Sequence, residues 1–248
     1  MDAGVTFAGV SYLLPDGRAL LREISLELEA GTTTALLGRS GSGKTTLLRT
    51  VNGLVTPTSG EVSVAGRVTR EHDTVALRRS IGYVIQETGL FPHMTVERNA
   101  GLALELAGRS KAEIAARAAE VLGLVGLDFG ELRGRYPWQL SGGQRQRVGL
   151  ARALATDPEV LLMDEPFGAL DPMTRAEMQT MVRELLARVK KTVLLVTHDL
   201  DEALYLAERV VFLEGGAVVA DLAAGAVLTS ENPAVKGYVA AVRRAVPA

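Results

Sequence analysis

Apolar residues along this chain fall into short unbroken runs and longer stretches of mixed character, and the two predict different elements. Residues 34–37, 81–85, 160–163, 193–196 and 210–213 are almost wholly apolar, and each run is bounded by turn or cap residues. Runs this short, without polar alternation, predict strands buried on both faces of a parallel sheet. Helices should separate them. Residues 44–52 read as one, stopped by Asn52-Gly53 and then Pro57; residues 172–190 read as another, with Asp171 as cap and Pro172 at the first position. Near the start, residues 5–12 and 20–28 flank a Pro15-Asp16-Gly17 turn, and 61–68 adds a strand-like stretch, which together suggest a smaller antiparallel sheet. From about Val96 to Thr156 the pattern holds no buried strand. There Ser110 and Glu113 form a capping box before an Ala-rich helix reaching about Leu124. The pattern predicts an α/β fold: residues 1–87 and 157–248 form a core with its antiparallel sheet, and about 88–156 form a helical insertion. Residues 230–248 are expected to close as a short helix or to fray.

Composition narrows the field by exclusion. Lys plus Arg number 27 against 29 Asp plus Glu, so no large basic surface is available for nucleic acid. Cysteine is absent, which removes disulfides, thiolate zinc sites and thiol nucleophiles. No uncharged apolar run approaches the ~18 residues of a spanning helix, and Met1-Asp2-Ala3-Gly4 lacks a basic segment followed by an apolar one. A cytoplasmic location is expected.

Gly38-Arg39-Ser40-Gly41-Ser42-Gly43-Lys44-Thr45 fits the phosphate-loop pattern and lies between a predicted strand and a predicted helix, as the mechanism requires. Glycines let the backbone wrap so that successive N–H groups face phosphate oxygens, and a helix N-terminus adds roughly half a positive charge. Lys44 supplies a full charge. Thr45 places a hydroxyl where it can ligate magnesium.

The 160–163 run leads directly into Asp164-Glu165, two carboxylates at the C-terminal end of a buried strand, where open α/β sheets hold ligands. Alternation along the strand is expected to split their roles, with Asp164 toward the metal and Glu165 as general base toward a water in line with the terminal phosphate. A third element is Leu140-Ser141-Gly142-Gly143-Gln144 before a helix over 145–156, with Ser141 and Gln144 spaced as a capping box. Glycine is about 1 kcal/mol worse than alanine in a helix, so two in the first turn suggest close approach of a ligand such as phosphate. A plain capped helix explains the same residues.

In order and spacing, these motifs with Gly168-Ala169-Leu170-Asp171 and Thr197-His198-Asp199 resemble ATP-binding-cassette ATPase subunits across essentially the whole chain. The resemblance implies a RecA-like P-loop NTPase core, with ATP and magnesium as cofactors. It implies a nucleotide-binding set of Gly38, Arg39, Ser40, Gly41, Ser42, Gly43, Lys44, Thr45 and Thr46, with Tyr12 stacking on adenine. Leu140 to Gln144 would be the signature, so that Ser141, Gly142, Gly143 and Gln144 contact the nucleotide of a second copy, with Asp171 at the dimer interface. Gln86 would bind magnesium and couple, alongside Thr45 and Asp164; His198 would be the switch histidine beside Glu165 and Lys44. Local alternatives stay open: Asp171 is also a helix cap, Asp199 with Glu202 is a capping box, and Tyr12 is also a core candidate.

The resemblance implies separate permease subunits, an extracytoplasmic binding protein and a peripheral place on the inner membrane face. Residues 87–96 are the candidate docking surface, with Phe91 as anchor or, alternatively, packed inward with Leu90. Residues 77–86, 89–95, 162–175 and 196–203 are similar to ATPases of quaternary-amine importers, the glycine betaine, choline and carnitine group. Two departures are expected to matter: Arg39 stands where importers often have proline, and the chain has no room for the regulatory CBS pair. Competing readings are an ATPase for another polar solute or for lipid, a soluble cassette ATPase, and a binding module without turnover.

Overall fold

The computed structural model describes residues 4–244. In chain order the elements are β1 (Val5–Leu13), β2 (Ala19–Leu28), β3 (Thr33–Leu37), α1 (Lys44–Val51), β4 (Ser59–Val64), β5 (Arg67–Val68), α2 (Thr74–Ser80), β6 (Ile81–Val84), α3 (Val96–Leu106), α4 (Lys111–Leu124), α5 (Phe129–Leu132), α6 (Gly142–Leu154), β7 (Val160–Asp164), α7 (Pro172–Val189), β8 (Thr192–Thr197), α8 (Leu200–Leu206), β9 (Arg209–Glu214), β10 (Ala217–Ala223) and α9 (Pro233–Arg244). Of the expected closing segment, 233–244 is helical and 245–248 lie outside the described residues, as do Met1, Asp2 and Ala3. Two compact units result, Met1–Leu77 with Thr192–Ala248, and Arg78–Lys191. The helical segment expected over about 88–156 lies within the second unit, whose bounds are wider, Arg78 and Lys191.

In the first unit the antiparallel sheet has the order β2-β1-β4-β5. Phe7 lies opposite Leu26 and Val62, and Val5 opposite Leu28 and Val64, so one face of alternating apolar residues is buried. The single stretch expected over 61–68 is broken into β4 and β5, because Ala65 and Gly66 both take positive φ, 50° and 74°, the conformation of a two-residue hairpin turn. The second sheet of this unit runs β10-β9-β3-β8, with β3 parallel to both β8 and β9. Every residue of β3 and β8 is buried, which is why their sequences show no alternation. The antiparallel edge strand β10 was not anticipated; Gly215-Gly216, at φ 56° and 84°, is the turn signal that marks it. Helices α8 and α9 close this sheet through Leu200, Ala203 and Val235 against Ala35, Leu37 and Phe212. Each such buried Leu or Phe contributes about 1.5–3 kcal/mol of transfer free energy.

In the second unit β6 and β7 are parallel, with Val84 opposite Met163. Helix α6 presses closely on this pair: a Cβ on Gly82 would lie 2.5 Å from the Ala153 carbonyl oxygen. Helices α3, α4 and α6 pack together, and the Arg117 guanidinium on α4 donates to the Leu154 and Ala155 carbonyls at the end of α6, both at 3.0 Å. No strand falls between 96 and 154, and α4 carries the expected reciprocal Ser110–Glu113 box. Among the described residues no helix is long and apolar enough to cross a membrane.

Candidate functional site

Strand β3 delivers the chain into the phosphate loop, and steric demands explain its glycines. Gly43 caps α1 at φ 100°, and a Cβ there would lie 2.7 Å from the Leu20 carbonyl oxygen. At Gly38 a Cβ would meet the Leu213 carbonyl oxygen at 2.3 Å. The Lys44 ammonium is buried and folds back across the loop, donating to the carbonyls of Gly38 at 2.7 Å and Arg39 at 3.0 Å. Those contacts stabilise a charge that burial would otherwise penalise heavily. Ser42 Oγ is buried without a hydrogen-bond partner among the described residues, an acceptor and donor aimed into the loop. Because its cap is a glycine, the cap residue of α1 offers no side chain to its first N–H groups. Thr45 and Thr46 follow on α1, both half-buried. Tyr12, also half-buried, lies opposite Leu21, whose side chain abuts the Gly43 position, so β1 and β2 bring the aromatic ring's strand against the loop.

On the same sheet Leu37 pairs with Thr197, which puts His198 and the phosphate loop at the C-terminal ends of neighbouring parallel strands. His198 is exposed immediately after six buried residues. Asp199 caps α8, accepting from the N–H groups of Asp201 at 2.9 Å and Glu202 at 3.1 Å. The expected capping box is formed in this one direction: the Asp199 N–H donates to Thr197 Oγ1 at 3.0 Å, since the turn out of β8 brings that hydroxyl closer in chain than Glu202.

The second unit assembles the acidic pair. Asp164 is the last residue of β7 and buried, with the Tyr83 hydroxyl donating to Oδ2 at 3.3 Å. Glu165 lies past the strand at φ 45°, a left-handed conformation that is costly for a residue with a Cβ and concentrates at functional sites. The strand ends at Asp164, so the alternation expected to separate the two carboxylates does not extend to Glu165. Gln86 is two residues past the end of β6, and its Nε2 donates to Glu165 Oε2 at 3.5 Å. A Cβ on Gly168 would be 3.8 Å from Glu165 Oε2 and 3.9 Å from Gln86 Nε2, so a bare backbone flanks the pair.

Helix α6 begins at Gly142, three residues before the expected start, with Ser141 as cap. Ser141 Oγ accepts from the Gln144 N–H at 3.2 Å and Gln144 Oε1 accepts from the Ser141 N–H at 2.9 Å. Its two glycines have different reasons. A Cβ on Gly143 would lie 2.7 Å from Thr174 Cγ2 on α7, whereas at Gly142 the nearest atoms are 3.8 and 3.9 Å away. Packing within the chain therefore accounts for Gly143, and only Gly142 remains as a position opened for a ligand. Asp171 caps α7, accepting from the Thr174 N–H at 3.1 Å, and the Thr174 hydroxyl and N–H hold its carboxyl below the usual aspartate range. Thr174 thus joins the signature to the segment ending at Asp171.

Residues 87–96 form a loop held from two sides. The fully buried Asn99 amide accepts from the Phe91 N–H at 2.8 Å and donates to the Phe91, Met94 and Thr95 carbonyls. From α6, Arg152 donates to the Thr88 and Gly89 carbonyls, both at 2.7 Å, and burial lowers its pKa from the usual arginine value. Phe91 is 41% exposed, which does not fit the alternative of a ring packed inward with Leu90.

Residues 21–168 match the family model described as ABC transporter. The chain belongs to the ABC transporter family. Among curated relatives it is 48% identical over 215 residues to the glycine betaine uptake system ATP-binding protein YehX of Escherichia coli, covering 87% of this chain and 69% of that one. It is 46% identical to the glycine betaine/carnitine/choline transport ATP-binding protein OpuCA of Bacillus subtilis, over 85% of this chain and 55% of that one. The sulfate/thiosulfate import ATP-binding protein CysA of Nocardia farcinica is 50% identical, over 81% of this chain and 59% of that one. The chain spans between 51% and 69% of the length of the first curated relatives it matches. Among solved structures, the dimeric post-hydrolysis state of the ATP-binding cassette MJ0796 bound to ADP and Pi superposes with a TM-score of 0.79 at 34% identity, over 89% of this chain and 98% of that one.

Every phosphate-loop residue named from this ABC-family sequence lies on the β3–α1 turn or in the first turn of α1. Sequence reasoning missed three residues: Asn99 and Arg152, which fix the loop after Gln86, and Tyr238 on α9, whose hydroxyl donates to the His198 carbonyl at 2.6 Å. None belongs to a local motif. The only hint was the type of Asn99, an amide where α3 is otherwise buried.

Proposed function

We propose that this chain is the ATP-hydrolysing subunit of an importer for a quaternary amine such as glycine betaine, choline or carnitine. The observation that carries the hydrolytic reading is Glu165, held in a left-handed conformation with Gln86 at 3.5 Å and a glycine backbone alongside. A module that only bound nucleotide would have no use for that strain. Glu165 is the general base, taking a proton from water as it attacks the terminal phosphorus.

The phosphates lie on the N-terminus of α1, with Lys44 and the Ser42 hydroxyl turning from their loop toward phosphate oxygens. The donors Thr45, Gln86 and Asp164 are all oxygen, the set a hard divalent cation takes, and bound magnesium supplies charge neutralisation on the phosphates. Tyr12 stacks on the base, and His198 orients Glu165 and touches the terminal phosphate. Ser141 and Gly142 complete the site from a second copy, with Asp171 at that interface, in a two-fold head-to-tail pair. ATP closes the pair, hydrolysis loosens it, and the helical segment over 88–156 moves with its nucleotide. The loop presenting Phe91 docks on separate permease subunits at the inner membrane face, with an extracytoplasmic binding protein as the further partner.

For the solute, YehX and OpuCA support a quaternary amine, while the 50% identity to CysA supports sulfate or thiosulfate as a second reading. The test is to co-purify the chain with its permease and binding protein, then titrate the complex with glycine betaine, choline, carnitine and sulfate. Binding of a quaternary amine, with stimulated phosphate release, supports the reading. Stimulation by sulfate alone transfers it to the second, and no phosphate release above Glu165→Gln removes the ATPase itself.

A further inference from the structure

The turn that carries His198 is fixed from two places. On its own element the Thr197 hydroxyl oxygen accepts from the Asp199 N–H, and the Asp199 carboxylate is committed to capping α8. The carbonyl of His198 is held from forty residues away, by the Tyr238 hydroxyl donating at 2.6 Å. We propose that Tyr238 is a positioning residue for the switch histidine: the terminal helix α9 sets the backbone from which the imidazole projects. The proposal rests on the ATPase reading above.

The ring that carries this hydroxyl is itself well placed. Tyr238 packs edge-on to Phe212 of β9, with centroids 5.8 Å apart at 78°, and joins the cluster formed by Leu37, Leu200, Phe212 and Val235. The aromatic body thus belongs to the core of the same sheet whose strands β3 and β8 end at the phosphate loop and at His198. Beyond the ring lies a cavity of about 390 Å³, lined by Gly38 to Ser42 on one side and by Pro233, Ala234 and Tyr238 on the other. The phosphate loop and the helix face each other across that space, and the Tyr238 hydroxyl ties α9 to the switch turn. Burial raises the phenol pKa, the Asp199 carboxylate adds to this and Arg39 opposes it, so the group stays a hydrogen-bond donor through the working pH range.

Tyr238→Phe removes the donor and keeps the ring. Wild type, Tyr238→Phe, His198→Ala and the double variant are compared as full chains by phosphate release, melting temperature and the imidazole signals in NMR, of which the sequence provides only three. Losing one ordinary hydrogen bond should lower kcat roughly 3- to 10-fold, with KM for ATP unchanged within about twofold and Tm lower by at most about 4 °C. The His198 signal, assigned by its loss in His198→Ala, should shift in Tyr238→Phe without nucleotide, and Tyr238→Phe should cost nothing further once His198 is alanine. An unshifted His198 signal with unchanged kcat overturns the proposal, as does a loss that multiplies in full on the His198→Ala background. A wild type no faster than Lys44→Ala would overturn the ATPase reading instead, and the imidazole shift would then decide separately whether Tyr238 sets the histidine's environment.

Discussion

Helices α1 and α6 both begin in glycine-rich turns, yet they are capped in opposite ways. At α1 the cap is Gly43, in a left-handed conformation, which has no side chain to cap the helix. At α6 the cap is Ser141, and Ser141 and Gln144 satisfy each other's N–H groups reciprocally. A helix start without a capping side chain, with a buried lysine beside it, suits an anion held by the free chain. A closed one must exchange an internal hydrogen bond for an external one, so it suits a contact that forms and breaks. On the proposed function, α1 would hold the nucleotide throughout the cycle, and α6 would engage it only when a second copy brings it in.

The largest effect that would break the comparison is at Lys44. Lys44→Ala removes charge-assisted hydrogen bonds worth roughly 1.5–3 kcal/mol each, so ATP affinity should fall at least about 100-fold in a direct binding assay. Retained affinity would mean that α1 is not the anchoring site. At the closed helix the expectation is inverted: Ser141→Arg should leave ATP binding by the single chain within about twofold while phosphate release falls by about 100-fold, since only the paired state is blocked. Normal hydrolysis in that variant would remove the signature role.

The two glycines sharpen the comparison further. Gly143→Ala places a Cβ 2.7 Å from Thr174 Cγ2 and should destabilise the fold by about 1–3 kcal/mol in chemical denaturation, with recovery in combination with Thr174→Ser, which deletes that methyl. Gly142→Ala has room and removes a poor helix former, so stability should rise by up to about 1 kcal/mol. If a phosphate approaches that backbone, turnover should drop all the same; a more stable and fully active variant would show that the position serves the helix alone.

The difference between the helices also marks what was legible in the sequence. The strands were visible because both faces of β3, β7 and β8 are buried, leaving polar residues only at their ends and an unbroken apolar run within. The phosphate loop was visible because each of its demands falls on adjacent residues. Local spacing also found the caps Ser110, Ser141 and Asp171. What escaped depends on partners distant in sequence: Gly143 is explained by Thr174, the Thr88 and Gly89 carbonyls by Arg152, and the His198 carbonyl by Tyr238. Glu165 was found by type and position, yet its left-handed backbone has no signature of its own, since Glu gives no hint of positive φ.

Glu165→Gln keeps the shape of the site and removes the base, so ATP should bind and persist. Light scattering on this variant with saturating ATP and magnesium should report a dimer that reverts to monomer when nucleotide is removed, with phosphate release near background. A variant that stays monomeric while demonstrably bound to ATP would contradict the claim that two copies share each nucleotide.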